Sequence, residues 1–176
     1  TEGSETFTVS LRTGSVSGTV VAVSSSVTIN DTSTSPVSWS SPTADAKLLA
    51  SDAQTSDNFG QSVSISNNGT IAIVGSPNED TGGTSTGAAY IYSVSGSTWT
   101  QQAKIQASDK ASYDTFGYSV SIDSDGDTAI VGAYSEDPSG ITDAGSAYIF
   151  TRSGSTWTQQ GKIYASDKAN SDYFGD

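Results

Sequence analysis

One phrase occurs twice in this chain, and the interval between its copies limits the fold more than any other feature. Residues 99–109 read WTQQAKIQASD and residues 157–167 read WTQQGKIYASD, an offset of 58. A shorter copy lies upstream, where Lys47-Leu48-Leu49-Ala50-Ser51-Asp52 matches Lys104-Ile105-Gln106-Ala107-Ser108-Asp109 at an offset of 57. Asp57-Asn58-Phe59-Gly60 returns as Asp114-Thr115-Phe116-Gly117 and again as Asp172-Tyr173-Phe174-Gly175. Gly75 to Gly132 spans 57 and Gly87 to Gly145 spans 58, so the second copy gains its residue between Gly132 and Gly145. Insertions of this kind belong in loops. A fixed period of this size describes stacked units, each of which completes the core of its neighbour.

Each period divides into four strands. In the second copy they are FGYSVSI (116–122), TAIVGA (128–133), SAYIFTR (146–152) and STWTQQGKIYA (155–165). β-Branched and aromatic residues alternate with Ser and Thr, the pattern of half-buried strands, and no stretch keeps helical apolar spacing. Asn68-Gly69 and Asp125-Gly126 suit tight hairpins, as do Ser95-Gly96 and Ser153-Gly154. The loops at 76–87 and 134–145 are longer and polar. Four antiparallel strands in this period have the size of a β-propeller blade; solenoid repeats are usually shorter and helical repeats need a periodicity that is missing. Trp99 and Trp157 therefore read as packing residues at blade boundaries, not as a sugar platform. With 34% hydrophobic residues the core must be thin.

The run Phe116-Gly117 … Ile130-Val131-Gly132-Ala133, followed by GSAYIFTRSG and WTQQ, resembles the FG-GAP repeat of integrin-type β-propellers, in its bacterial and phage variety. The resemblance covers roughly 39–176. The first copy departs from the motif at Gly75-Ser76-Pro77, and the second reads Gly132-Ala133-Tyr134. The resemblance implies a seven-bladed propeller in a complete protein, of which two periods and the start of a third are present. Both ends are expected to be cut from something longer. It also implies a Ca²⁺ loop between the first two strands of a repeat, which puts Asp123, Asp125 and Asp127 forward as metal ligands. Alternating carboxylates suit a hard cation. This loop is shorter than the family's, and the first repeat reads Ser66-Asn67-Asn68-Gly69-Thr70 with no carboxylate, so a plain hairpin turn is the competing reading. The recurring acidic pairs Glu79-Asp80 and Glu136-Asp137 read as solvated loop charge.

Residues 1–35 do not join the repeat. TEGSETFTVSL (1–11) and SSVTINDTS (25–33) read as strands, and EGSETFTVSL … VTINDT resembles the closing half of a Calx-β type β-sandwich. In that family acidic residues near strand ends bind Ca²⁺; Glu2, Glu5 and Asp31 are the nearest matches. The expected organisation is an all-β chain: a sandwich fragment at 1–35, a Ser/Pro-rich linker at 36–46, and tandem four-stranded antiparallel propeller blades at 47–176. Trp39 reads as a degenerate copy of the WTQQ tryptophan.

The net charge of −12 repels phosphate backbones and anionic lipid heads, so nucleic acid and membrane surfaces are poor partners. No apolar run reaches the ~18 residues of a membrane span. There is no Cys and no His, which removes disulfides, thiolate chemistry, the usual general base and the common zinc ligand together. The expectation is a non-enzymatic structural or adhesion module, extracellular, on a cell surface or on a virion. Its partners would be a protein or glycan of a cell surface. The alternative is an assembly component, such as a filament, phage tail-fibre or capsid decoration subunit, that joins copies of itself through sheet edges.

Overall fold

The computed structural model describes residues 46–176 and two short strands earlier in the chain. Those two, β1 (Thr6–Phe7) and β2 (Val27–Thr28), pair antiparallel with Thr6 opposite Thr28 and Phe7 opposite Val27. They fall within the two segments expected to be strands of a sandwich. The remainder of that segment, with Glu2, Glu5, Asp31, Trp39 and the linker up to residue 45, lies outside the described residues.

The unit Asp45–Asp176 is all-β. Strands β3 (Val63–Ile65), β4 (Ile71–Ser76), β5 (Ala88–Ser95) and β6 (Thr98–Ile105) form one antiparallel meander. Strands β7 (Val120–Ile122), β8 (Thr128–Ala133), β9 (Ser146–Ser153) and β10 (Thr156–Ile163) form a second of the same order. The two are successive propeller-type blades. The hairpins turn on Gly69 and Gly126 and on Gly96 and Gly154, all at positive φ, where a side chain would be strained. The second copy's additional residue is accommodated around the 3₁₀ turn Pro138–Gly140, in the loop between β8 and β9. No helix among the described residues is long and apolar enough to cross a membrane.

The first strand of each blade is shorter than its sequence pattern. FGYSVSI is a strand only from Val120, because Thr115 and Gly117 both have positive φ and carry the chain round a bend. Phe116 and Gly117 therefore belong to a strap that precedes the blade. An apolar run does not reveal such a bend; the left-handed residues within and beside it do.

Because side chains alternate along a strand, each blade has two faces. Ile71, Ile73, Ala89, Ile91 and Ile105 of the first blade meet Ile122, Ala129, Val131, Tyr148 and Phe150 of the second in one core. Phe116 lies inside it, edge-on to Tyr148 at 5.5 Å and to Phe150 at 5.9 Å between centroids. Phe59 repeats the arrangement on Tyr90 and Tyr92. Trp157 packs on the shared core and donates from Nε1 to Gln102 Oε1 of the preceding blade at 3.1 Å, while Trp99 packs on the Tyr90 cluster. Both tryptophans are packing residues.

The strap also explains why the motif needs its glycines. Phe116 N donates to Thr86 O at 3.1 Å, and Gly117 O accepts from Ser62 Oγ at 2.9 Å. A Cβ on Gly75 would stand 1.9 Å from Gly117 O. The second blade repeats the contact with the third strap: Ser119 Oγ donates to Gly175 O at 2.7 Å, and a Cβ on Gly132 would stand 1.9 Å from that oxygen. The Phe-Gly of one repeat is thus seated on the glycine of the repeat before it. Gly75→Ala should therefore cost about 3 kcal/mol in urea unfolding, the upper range for overpacking. Gly96→Ala, where a Cβ meets nothing within 4 Å, should cost only the ~1 kcal/mol of its positive φ. Equal losses would refute the seated strap.

Candidate functional site

The loop after the second strand of each blade turns its glutamate inward. The side chain of Glu79 is 1% exposed and meets Lys104 Nζ at 2.8 Å. Its Oε1 also accepts from Thr81 N at 3.0 Å and from Thr81 Oγ1, and its Oε2 accepts from Gln106 Nε2 at 2.9 Å. Lys104 bonds Asp52 as well, at 2.6 Å, and lies 5.6 Å from the Tyr90 ring centroid. Tyr90 Oη donates to Asp52 Oδ1 at 2.8 Å. The second blade repeats the cluster: Lys162 holds Glu136 at 2.6 Å and Asp109 at 2.9 Å over Tyr148. There Ser146 Oγ donates to Glu136 Oε2, while the buried Tyr148 hydroxyl has Asp109 nearby but no partner in bonding geometry.

This corrects the reading of Glu79-Asp80 and Glu136-Asp137 as solvated loop charge. Both glutamates are buried ion-pair partners. Asp80 and Asp137 fold their own loops, accepting from Ser85 N and Asp143 N at 2.7 and 2.8 Å. The signal was present in the sequence, since the lysine of the WTQQ phrase recurs in step with the glutamate. Only the fold places them together. Burial works against the charge of Lys104 and Lys162, and the bonds to their carboxylates outweigh it, so both ammonium groups titrate above the ordinary range. A lysine held charged in this way serves as an electrostatic cross-link, not as a nucleophile.

Asp123, Asp125 and Asp127 lie in the turn between β7 and β8. Asp123 Oδ1 accepts from the backbone N–H groups of Gly126, Asp127 and Thr128 at 2.8, 3.0 and 3.2 Å. Ser66 does the same work in the first repeat with its hydroxyl, which accepts from Ile71 N at 3.1 Å. Asp127 bonds Thr128 Oγ1, and Asp125 bonds Ser124 Oγ. Among the described residues no three acidic side chains gather as a cation site requires. The donor set fits a closed hairpin turn and does not fit a calcium loop. Slight desolvation opposes the charge of Asp123, and its backbone donors outweigh it, which keeps the carboxyl below its usual range.

Comparison with known proteins bears on the same repeats. The FG-GAP repeat family matches residues 42–92 and 99–150, more than half of the chain. The chain belongs to the FG-GAP repeat family. No curated protein matches it. Among solved structures, the crystal structure of Saccharomyces cerevisiae Sqt1 superposes with a TM-score of 0.43 at 9% identity, over 65% of this chain. The chain spans 25% of that protein's length.

The FG-GAP straps carry one further group that motif reading passed over. Asp57, Asp114 and Asp172 each precede the Phe-Gly by two residues, and each accepts from a backbone N–H three residues back, at 2.7, 2.6 and 2.6 Å. Left-handed residues flank every one: Ser56 and Asn58, Tyr113 and Thr115, Ser171 and Tyr173. Asp114 is 5% exposed. Desolvation pushes its carboxyl up to about 6 against the Ala111 N–H bond, with Glu136 and Asp109 adding to the rise.

Removing the lysine should strand a buried carboxylate. Lys104→Ala is expected to cost about 3–5 kcal/mol in denaturant unfolding, and Asp125→Ala less than about 0.5 kcal/mol; comparable losses would remove the cluster's structural role. For Asp114 the folded-state pKa lies above the unfolded value of about 4. Between about 4 and 6 the folded protein holds the additional proton, so this residue's contribution falls as pH rises through that window. Asp114→Asn should therefore gain on the parent by on the order of 2 kcal/mol between pH 4 and pH 7, as read from urea unfolding. Parallel stability curves would contradict it.

Proposed function

We propose that this chain is a non-enzymatic structural and adhesion module of a larger extracellular or virion-surface protein of bacterial or phage type, with the Calx-β-like segment as a neighbouring sandwich domain. The observation that carries this reading is the division of labour among the repeated residues. Lys104 and Lys162, Glu79 and Glu136, Asp52 and Asp109, and Gly75 and Gly132 are all engaged inside or between blades. Some of the differences between the repeats lie at turns and strand ends, Ser66 against Asp123 and Pro77 against Tyr134, while others, Ala88 against Ser146 and Tyr92 against Phe150, are buried. A rigid frame with variable surface residues is suited to presenting contacts, and functional residues often sit on loops over a rigid scaffold. The absence of His and Cys supports a role without catalysis.

A second reading, assembly through blade faces, is favoured by one comparison. Ile73 and Ile105 of the first blade are 0% and 6% exposed, whereas their counterparts Ile130 and Ile163 are 39% and 40% exposed. Val63 and Ile65 are 69% and 56% exposed, whereas their counterpart Ile122 is 9% exposed and Val120 packs on the core. The chain thus carries two open apolar faces of opposite kind, the kind of surface that marks an interaction site. The two readings separate by experiment. Fluorescently labelled chain should bind intact cells in a host panel by flow cytometry while remaining monomeric in analytical ultracentrifugation. Self-association without cell binding would overturn adhesion in favour of assembly.

A further inference from the structure

Three tyrosines of the second blade form a continuous aromatic surface that the frame does not require. Tyr118 and Tyr134 lie 4.3 Å apart between ring centroids, and Tyr134 and Tyr173 lie 5.7 Å apart, each pair tilted by 51°. They come from three separate segments: the residue after the Phe116-Gly117 strap, the residue after β8, and the third strap. At the corresponding places of the first blade stand Gln61, Pro77 and Thr115. That blade has the same strands, register and strap contacts without any of the rings. Folding therefore does not account for the three tyrosines.

The third ring is accessible to a ligand. Tyr173 is 40% exposed; its left-handed φ of 53° is shared by Asn58 and Thr115 at the same place of the earlier straps and belongs to the frame. A recess of about 280 Å³ on the same blade is lined by Ser119, Ile130, Ala147, Ile163 and Phe174. Two of those, Ser119 and Phe174, directly follow Tyr118 and Tyr173 in the chain. Aromatic faces with hydroxyl tips fit a ligand that is flat and apolar on one side and rich in hydroxyls at its edge. The net charge of −12 disfavours anionic forms of such a ligand.

We propose that Tyr118, Tyr134 and Tyr173 form a stacking platform for a neutral glycan. The site rests on the adhesion reading and specifies its partner. The rings supply contact to the apolar face of the sugar, and their hydroxyls supply hydrogen bonds at its edge. A basic peptide, held by cation–π contact, is the competing occupant.

The test uses the full chain with cello-, chito-, manno- and malto-hexaose, with hexalysine as the cationic probe, by saturation-transfer NMR and titration calorimetry. At least one neutral oligosaccharide should bind saturably. The triple variant Tyr118→Gln, Tyr134→Pro, Tyr173→Thr carries the first repeat's own residues, so the parent's thermal midpoint should be nearly retained. Its affinity for that sugar should fall about tenfold or more, the loss expected for ~1.4 kcal/mol of stacking. Binding of hexalysine alone, binding of none of the sugars, or undiminished binding by the folded triple variant would each overturn the site. Cell binding that persists in the triple variant would remove this platform and leave the adhesion reading standing.

Discussion

The contact between the carbonyl of a strap glycine and the bare Cα of a glycine in the preceding blade sets the spacing of the whole unit. Gly117 O sits where a Cβ of Gly75 would be, and Gly175 O sits where a Cβ of Gly132 would be. No side chain fits, so two sheets can approach only where the sequence supplies glycine. Once the strap is seated, Phe116 is delivered between Tyr148 and Phe150, and the shared core closes around it. The FG-GAP motif is thus two halves of one contact, made between consecutive repeats.

The buried ion clusters fasten the outer strand of each blade to the loops around it. Burying Glu79 is costly, and the geometry offsets that cost by filling both of its oxygens while Lys104 supplies the charge. Lys104 reaches back to Asp52 ahead of the blade and across to Glu79 after its second strand, so three stretches distant in sequence are joined by one ammonium group. Hydrophobic area is scarce in a chain with 34% hydrophobic residues, and such cross-links give a thin core its register. The second blade keeps Lys162, Glu136 and Asp109 but replaces the glutamine donor with Ser146 Oγ, which shows that the pair matters more than its auxiliary donors.

Much of this was legible in the residues. The 57- and 58-residue offsets gave the repeat, and the β-branched runs with Gly turns gave four strands per repeat, all but the first at nearly the observed limits. Trp99 and Trp157 were readable as packing residues because they recur in step with the frame. The inward turn of Glu79 was not legible, because an acidic pair in a polar loop looks the same whether solvated or buried. Asp123 illustrates the reverse: alternating carboxylates resemble a cation loop, yet the first repeat fills that place with Ser66, and both cap the same backbone turn. The strap was hidden for a related reason, since FGYSVSI reads as one strand until the positive φ of Gly117 divides it.

The sequence by itself determined the repeat, the all-β class and the strand order, because those depend on local alternation, turn chemistry and period. Tertiary structure decided which repeated residues are partners: Gly75 with Gly117, Lys104 with Glu79 and Asp52, Trp157 with Gln102. It also brought Tyr118, Tyr134 and Tyr173 together from three segments. Those pairings are long-range, and a period states only that positions are equivalent. Which equivalent positions face each other is fixed by how one sheet lies upon the next.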